Sequence, residues 1–202
     1  MPSSIVTSGA GLRPSYRMES YSDTYYIQQT LEGDIDSFAP LVNKYGSQLY
    51  SLIVRIVGNR EDAEELAQDT LMKAFRHLAS FKGDCSFSTW IYRIAYNTAI
   101  SHTRKKKQEL LAIEDAILSN VSEEEVSEAL GQTDSSQQVQ WLEEAIGLLP
   151  AEERAIILLF YMKKKTIDEL VPITGLTPSN LKTKLHRIRK KLFALIKSME
   201  EK

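Results

Sequence analysis

The sequence predicts an all-α protein of two small helical domains, joined by an acidic flexible linker, with a helix-turn-helix in the second domain. Apolar residues recur at three- and four-residue steps through most of the 202 residues, as they do in amphipathic helices. Strand-like alternation and hairpin dipeptides are few. Between the two helical parts, residues 108–138 are poor in apolar side chains and rich in Ser, Gln and acids, which is typical of a linker.

The composition excludes several classes of protein. No apolar run approaches the roughly 18 residues of a membrane span. The opening "MPSSIVTSGAGLRPSYRMES" lacks the basic start and apolar core of a secretory signal, so we expect a disordered tail and a cytoplasmic protein. Cys85 is the only cysteine and the three histidines are scattered, so we expect no disulfide, no metal and no cofactor.

Charges of opposite sign are separated along the chain. Residues 108–153 contain twelve acids and no Lys or Arg, whereas the remainder holds 25 bases against 15 acids. Basic surface is typical of a protein that binds a polyanion, although a charged run is equally a solvated face. The charge pattern alone therefore leaves both interpretations open.

Three helices are predicted in the first part of the chain. Ser22 and Asp23 are cap candidates for a short helix, and a longer apolar-periodic helix runs from Asp36 to a stop at Gly58. The next segment, "REDAEELAQDTLMKAF", gathers acids at its N-terminal end, where the helix dipole favours them.

The outer face of this third helix is polar. It comprises Asp62, Glu65, Gln68, Asp69 and Lys73. Such a face is either a solvated surface or a charged docking surface for a partner, and the pattern fits both.

A polar loop precedes the fourth helix in "FKGDCSFSTWIYRIAYN". Gly83 and Asp84 break the helical pattern, and Ser86 or Ser88 can cap a helix that begins near Thr89. We therefore expect a loop over residues 81–88 that leads directly into a helix.

The fourth helix presents aromatic and basic side chains together. Trp90, Arg93 and Asn97 share one face. Aromatic platforms, cations and a shaped polar pocket are what hold unstacked bases of a single strand. The alternative is that Phe87, Trp90 and Tyr92 are simply core aromatics.

The cap and turn residues of a helix-turn-helix follow in the second part of the chain. Thr166 and Glu169 have capping-box spacing, Gly175 supplies a turn, and Thr177 with Pro178 reads as an N-cap followed by a first-position proline. The final helix contains no acid over residues 178–198.

In helix-turn-helix motifs the start of the second helix enters the major groove. The candidates for base edges are Ser179, Asn180, Lys182 and Thr183, and those for phosphates are Lys184, Arg187, Arg189 and Lys190, with His186 also facing outward.

Three segments occur in a recognisable order: "GDIDSFAPLVNKYGSQLYSL", "GNREDAEELAQDTLMKAFRHL" and "FKGDCSFSTWIYRIAYNTAISHTRKKK". With the second helical domain after them, they resemble a bacterial RNA polymerase sigma factor of the extracytoplasmic-function (ECF) group. The resemblance implies that the partners are core RNA polymerase, through its β′ coiled coil and β subunit, and promoter DNA in duplex and single-stranded form. Many members of the family also bind an anti-sigma factor.

The resemblance also assigns roles to segments. The helix over residues 61–74 resembles the segment that docks on the β′ coiled coil, and the loop over 82–88 resembles the specificity loop that captures a flipped base. The implied strand-opening set at the -10 element is Lys82, Gly83, Asp84, Ser86, Phe87, Ser88, Trp90, Arg93 and Asn97. The implied organisation is a tail (1–20), a core-binding and -10 domain (21–107), an acidic linker (108–138) and a -35 domain (139–202).

Two features remain open. The linker is either a solvating tether or a segment that threads through polymerase channels, with a short helix over residues 109–118 as an option. Pro172 departs from the family pattern, and because an interior proline costs a helix about 3 kcal/mol, we expect the first helix of the motif to be short or kinked.

A rival function is a stand-alone helix-turn-helix regulator, which explains the second domain equally well but not the loop and helix over residues 81–97. An enzyme is not expected, because the sequence has no nucleophile and base pair, glycine-rich phosphate loop or metal set.

Overall fold

The structure is a computed structural model that describes residues 21–105 and 136–200. The predicted tail, nearly all of the predicted linker and the optional helix over 109–118 lie outside these residues. The described part contains α-helices, two 3-10 turns and no strand, which confirms the all-α prediction, and none of its helices is long and apolar enough to cross a membrane. The helices are α1 (Asp23–Leu31), α2 (Ala39–Val57), α3 (Arg60–Arg76), α4 (Phe87–Lys105), α5 (Ser136–Leu148), α6 (Ala151–Tyr161), α7 (Ile167–Thr174) and α8 (Pro178–Glu200).

Local capping chemistry fixes the ends of the first helices. The Ser22 hydroxyl accepts a hydrogen bond from the Tyr25 amide at 3.3 Å, so it caps α1. Gly58 ends α2 in the left-handed conformation at φ 76°, which a glycine adopts without steric cost. Asn59 then caps α3 by accepting from the Asp62 amide at 2.9 Å. The predicted stop at Gly58 and the cap at Ser22 are confirmed.

Helix α4 begins two residues earlier than predicted. It starts at Phe87, and its cap is Ser86, whose hydroxyl accepts from the Thr89 amide at 3.1 Å. The reason is tertiary: Phe87 is only 4% exposed and packs edge-on against Tyr45 of α2, with ring centroids 5.5 Å apart. Burial of an aromatic ring therefore holds the first turn of α4 in place.

The core of the first domain lies between α2, α3 and α4, which pack on one another. Helix α2 contributes seven buried side chains, namely Leu41, Tyr45, Leu49, Leu52, Ile53, Ile56 and Val57. Each fully buried aliphatic side chain contributes about 1.5–3 kcal/mol. The Tyr45 hydroxyl also donates to Asp23 at 2.6 Å, which ties α1 to α2.

The second domain has the predicted helix-turn-helix. The Thr166 and Glu169 capping box opens α7, Gly175 ends it at φ 75°, and Pro178 is the first residue of α8. Helix α7 is short, with eight residues, and Pro172 lies inside it. Pro172 has no amide hydrogen to donate to the preceding turn, but the helix continues beyond it to its cap, where the Gly175 amide donates to the Val171 carbonyl at 2.8 Å.

The two domains are in contact through polar groups that the sequence did not reveal. Helix α4 packs against α7, and α2 packs against α6. The Thr89 hydroxyl donates to Glu169 Oε1 at 3.0 Å, and Lys165 Nζ lies 2.7 Å from the same oxygen. The hydroxyl of Ser86 in turn donates to Thr89 at 2.9 Å, so one hydrogen-bond chain runs from the loop to α7.

A buried arginine makes the second polar contact between the domains. Arg154 donates to the carbonyls of Ile56 at 3.0 Å and Arg55 at 3.4 Å, in the last turn of α2. It also donates to the carbonyls of Leu149, at 2.8 Å, and Gly147, where α5 ends. Carbonyls at helix C-termini carry partial negative charge, so two helix ends together hold this guanidinium, although its burial still lowers the pKa of Arg154.

We expect the negative charge of Glu169 to stabilise the protein at neutral pH and to lose this effect as the pH falls through the acid range. Burial by itself would raise the pKa of Glu169, but hydrogen bonds from Lys165, the Thr166 amide and Thr89 lower it to about 2 from an ordinary value of 4.5. Stability from a depressed carboxyl pKa is fully present above the unfolded value and is lost as the pH falls through the folded one. The Glu169→Gln variant keeps a capping residue and removes the charge.

Urea unfolding at pH 7 should show Glu169→Gln to be less stable than the parent by about 1–2 kcal/mol. The difference should shrink steadily between pH 4.5 and pH 2. Asp168→Asn, at the exposed neighbouring position, is the control and should change little. An equal deficit of Glu169→Gln at pH 7 and pH 2.5 would contradict the role of the charge.

Candidate nucleic-acid interface

An aromatic cluster holds both ends of the polar loop that precedes α4. Phe81 and Phe87 lie on either side of the loop, with ring centroids 5.7 Å apart. Trp90 completes the cluster at 5.3 Å from Phe81 and 5.6 Å from Phe87. Since Phe87 is buried, it supports the loop from within, whereas Trp90 is half-buried and keeps part of its surface accessible.

The loop itself faces outward. Lys82, Gly83, Asp84 and Ser86 are exposed, and Ser88 is half-buried in the first turn of α4. Gly83 has φ 78°, a conformation that side chains with a Cβ rarely adopt, so glycine is required at this bend. A packed aromatic base with a polar rim is therefore available for a ligand.

An open groove of about 440 Å³ lies between α3 and α4. Asp69 and Lys73 of α3 line it together with Trp90, Arg93 and Asn97 of α4. The structure thus brings members of two predicted sets, the polymerase-docking face and the strand-opening face, into one groove. The sequence did not single out four further lining residues, which are His77, Ser80, Ser101 and His102.

A hydrogen-bonded chain crosses the groove. Lys73 Nζ lies 2.7 Å from the Asp69 carboxylate and donates to the Thr98 hydroxyl at 3.2 Å. Arg93 and Asn97 remain exposed along the α4 side. A guanidinium, an amide and an indole side by side can contact the phosphate, the base edge and the base face of an unpaired nucleotide.

The outward face of α3 is polar with an apolar centre. Glu65 and Gln68 are exposed, and Asp62 is half-buried with its carboxylate 3.3 Å from the His102 ring nitrogen. Met72 is 49% exposed and follows Gln68 by four residues, so the two share a face. An exposed thioether framed by polar groups is typical of a protein interface, and no pattern in the sequence indicated it.

The outward surface of the helix-turn-helix carries the predicted duplex-binding residues. Ser179, Asn180, Lys182, Thr183 and Arg187 are exposed, and Lys184, His186 and Lys190 are half-buried along α8. Buried Leu181, Leu185, Ile188 and Leu192 fix the opposite face of the helix. The first two turns of α8 are therefore available to a DNA groove.

Tyr161 orients one arginine of α8. The Arg189 guanidinium donates through Nε to the Tyr161 hydroxyl at 2.8 Å, and it lies 5.9 Å from the centroid of the ring. Tyr161 is half exposed at the end of α6, 28 residues away along the chain. This contact gives Arg189 a fixed direction, and no local pattern in the sequence indicated it.

Comparison with known proteins agrees with this architecture. The family model for Sigma-70 region 2 matches residues 41–109, and the model for Sigma-70 region 4 matches residues 139–192. The ECF RNA polymerase sigma factor SigW of Bacillus subtilis is 32% identical over 178 residues, which cover 82% of this chain and 92% of that protein. The ECF sigma-E factor of Haemophilus influenzae is 27% identical, covering 85% and 93%.

Solved structures share the fold. A complex of CnrH with the cytosolic domain of CnrY superposes with a TM-score of 0.64 at 21% identity, covering 87% of this chain and 97% of that one. The sigma factor RpoE of Bartonella quintana, in complex with the anti-sigma factor NepR, gives 0.59 at 23% identity, covering 79% and 96%. The arrangement of helices is therefore one already seen in solved structures.

Proposed function

The chain belongs to the extracytoplasmic-function group of RNA polymerase sigma factors, and from this membership we propose which of its surfaces bind core polymerase, which open promoter DNA and which bind the duplex. A sigma factor binds core RNA polymerase and directs it to promoters. In our proposal residues 21–107 bind the core and open DNA at the -10 element, residues 139–202 bind the -35 element, and residues 108–138 link the two.

Helix α3 is the proposed docking surface for the β′ coiled coil. Glu65 and Gln68 offer exposed polar groups around Met72, and Asp69 and Lys73 continue the surface into the groove. Complementary charges speed and orient association. The apolar centre supplies apolar surface that is removed from water when the partner binds. Exposure of this mixed face is the observation that supports docking.

The loop and the α3–α4 groove are the proposed site for the separated strand. The observation that carries this assignment is the position of the exposed loop beside Trp90, Arg93 and Asn97. A flipped base costs a few kcal/mol of unstacking, and stacking on an aromatic ring with polar contacts to the base offsets that cost. Strand opening then requires binding energy alone, so we assign the chain no chemical step.

The helix-turn-helix is the proposed reader of duplex DNA. The exposed N-terminal turns of α8 reach base edges, while Lys184, Arg187 and Lys190 contact phosphates. We further propose that the protein acts in the cytoplasm, where polymerase and DNA are found, and that an anti-sigma factor can sequester it. The complex of RpoE with NepR supports the last point by analogy of fold.

Charge reversal on α3 should weaken binding to core polymerase. We expect Glu65→Lys to raise the dissociation constant at least about fivefold, because a favourable surface charge becomes repulsive. Glu32→Lys is the matched control, since it makes the same change at an exposed position at the end of α1, outside α3. The measurement is titration of labelled protein with core polymerase. Equal affinities for the two variants would count against docking through this face.

Substitutions in the two DNA-binding regions should separate duplex binding from strand opening. Lys182→Ala and Arg187→Ala should each weaken duplex promoter binding by about 1–3 kcal/mol. The double variant Lys82→Ala, Asp84→Ala should leave duplex affinity unchanged and abolish strand opening. Strand opening is measured by the permanganate reactivity of unpaired thymines. A template with a pre-opened bubble at the -10 element should restore transcription to the loop variant only. If the helix-turn-helix variants and the loop variant all lost duplex affinity and none lost strand opening, this division would be contradicted.

A further inference from the structure

The contact between Tyr161, at the end of α6, and Arg189 of α8 leaves most of its hydrogen-bonding capacity unused. Arg189 Nε donates to the Tyr161 hydroxyl, and among the residues that the structure describes neither side chain has a further hydrogen-bond or ion-pair partner. We propose that the two side chains together bind one phosphate of the duplex backbone, with Tyr161 also positioning Arg189. The inference rests on the proposed duplex binding by the helix-turn-helix and adds a contact from a helix outside that motif.

The pair has the donors that a phosphate needs. A guanidinium carries five N–H groups, and the bond from Arg189 Nε to Tyr161 uses one of them. The N–H groups on the two Nη nitrogens remain, and arginine commonly binds phosphate through two parallel bonds of this kind. A phenol that accepts one hydrogen bond can still donate its own hydrogen. Guanidinium N–H groups and a phenol O–H group can therefore converge on one phosphate.

Tyr161 orients the guanidinium before DNA arrives. The hydroxyl holds Nε, and the guanidinium carbon lies 5.9 Å from the ring centroid, where the aromatic face attracts a cation. A long side chain loses rotamer freedom when it binds a ligand, and holding it in its bound direction reduces that cost. Tyr161 is half exposed and Arg189 is half-buried, so both reach solvent at this place.

No carboxylate of the described residues neutralises Arg189. The acids of α6 are engaged by other cations, since Glu152 pairs with Arg104 and Glu153 pairs with Lys191 at 2.9 Å. Lys191 is two residues from Arg189 and is held inward by this pairing, with its side chain 16% exposed. The positive charge of Arg189 is therefore available to an anion from outside the protein, whereas that of Lys191 is not.

The position of Arg189 along α8 matches the wall of a DNA groove. Arg189 follows Lys182 by seven residues, which is close to two helical turns, so the two lie on nearly the same face. Seven residues also separate them by about 10.5 Å along the helix axis. The major groove is about 12 Å wide. When the start of α8 lies in the groove with Lys182 at the base edges, Arg189 therefore lies at the phosphates that border the groove.

The end of α6 would by itself repel a phosphate. A helix C-terminus carries partial negative charge, and α6 ends at Tyr161. Lys163 and Lys164 follow that end directly, Lys164 is exposed, and the sequence contains no acid over residues 154–167. The two lysines therefore offset the charge of the helix end, and the surroundings of the pair are positive.

Removal of single charges from the DNA backbone tests the site. The probe is a labelled duplex of a promoter mapped with reconstituted polymerase, in which each phosphate around the -35 element is replaced in turn by an uncharged methylphosphonate. The full chain is titrated with each duplex. At one position the substitution should weaken the parent about tenfold and leave the affinity of Arg189→Gln unchanged. Tyr161→Phe, which keeps the ring, should bind the unmodified duplex about threefold more weakly than the parent and lose only about threefold at that same position.

The salt dependence of binding separates charge from orientation. Arg189→Gln should reduce the slope of log affinity against log salt concentration by about 0.9, because one phosphate is no longer neutralised. Tyr161→Phe should keep the slope of the parent, since the guanidinium is still present. The matched controls are Tyr25→Phe on α1 and Arg76→Gln at the end of α3, both at exposed positions in the first domain. Both should behave as the parent with every duplex.

A purely structural contact between α6 and α8 gives a different result. Loss of stability is measured by urea unfolding of each variant, and it would weaken binding to all duplexes equally. If every methylphosphonate weakened Arg189→Gln and Tyr161→Phe as much as it weakens the parent, the phosphate site would be overturned while duplex binding by the helix-turn-helix would stand. A parent that does not bind the unmodified duplex would instead refute the proposed duplex binding, and the phosphate site with it.

Discussion

Burial of α4 is the constraint on which the rest of the structure depends. Its apolar side, through Ile91, Ala95 and Ala99, is fully enclosed, and the helix packs against α2, α3, α6 and α7. Burial on that scale fixes the helix about its own axis. Trp90, Arg93 and Asn97 are consequently presented to the groove, and Thr89 and Tyr92 to the second domain. One packed helix therefore positions both the proposed strand site and the contact between the domains.

The local signals in the sequence were sufficient for most of the fold. Caps at Ser22, Thr166 and Thr177 and stops at Gly58 and Gly175 depend on chemistry within three or four residues, and the structure has them. The start of α4 was left open between a cap at Ser86 and one at Ser88, because Phe87 gains its stability from Tyr45, which is 42 residues away and invisible to a local pattern. Helical periodicity fixed the face of each helix, but it could not identify which faces would meet.

The candidate site was predicted as two separate surfaces and is one continuous region. Asp69 and Lys73 were assigned to polymerase docking and Arg93 and Asn97 to the strand, yet all four line a single groove. Spacing along a helix specifies neighbours on that helix, whereas the approach of α3 to α4 depends on the whole core. The same reason hid the contacts of Arg154 and Lys165 with the first domain, which join Arg154 to the carbonyls of Arg55 and Ile56 and Lys165 to Thr89 and Tyr92. Buried cations with distant partners leave no mark on local composition.

The most direct test of the account is reconstitution with core RNA polymerase and the genomic DNA of the source organism, followed by mapping of transcript starts. We expect co-elution of the protein with the core and new, discrete start sites that are absent with the core alone. DNA binding without core binding, and no new start sites, would contradict it and would favour a regulator that acts through its helix-turn-helix alone.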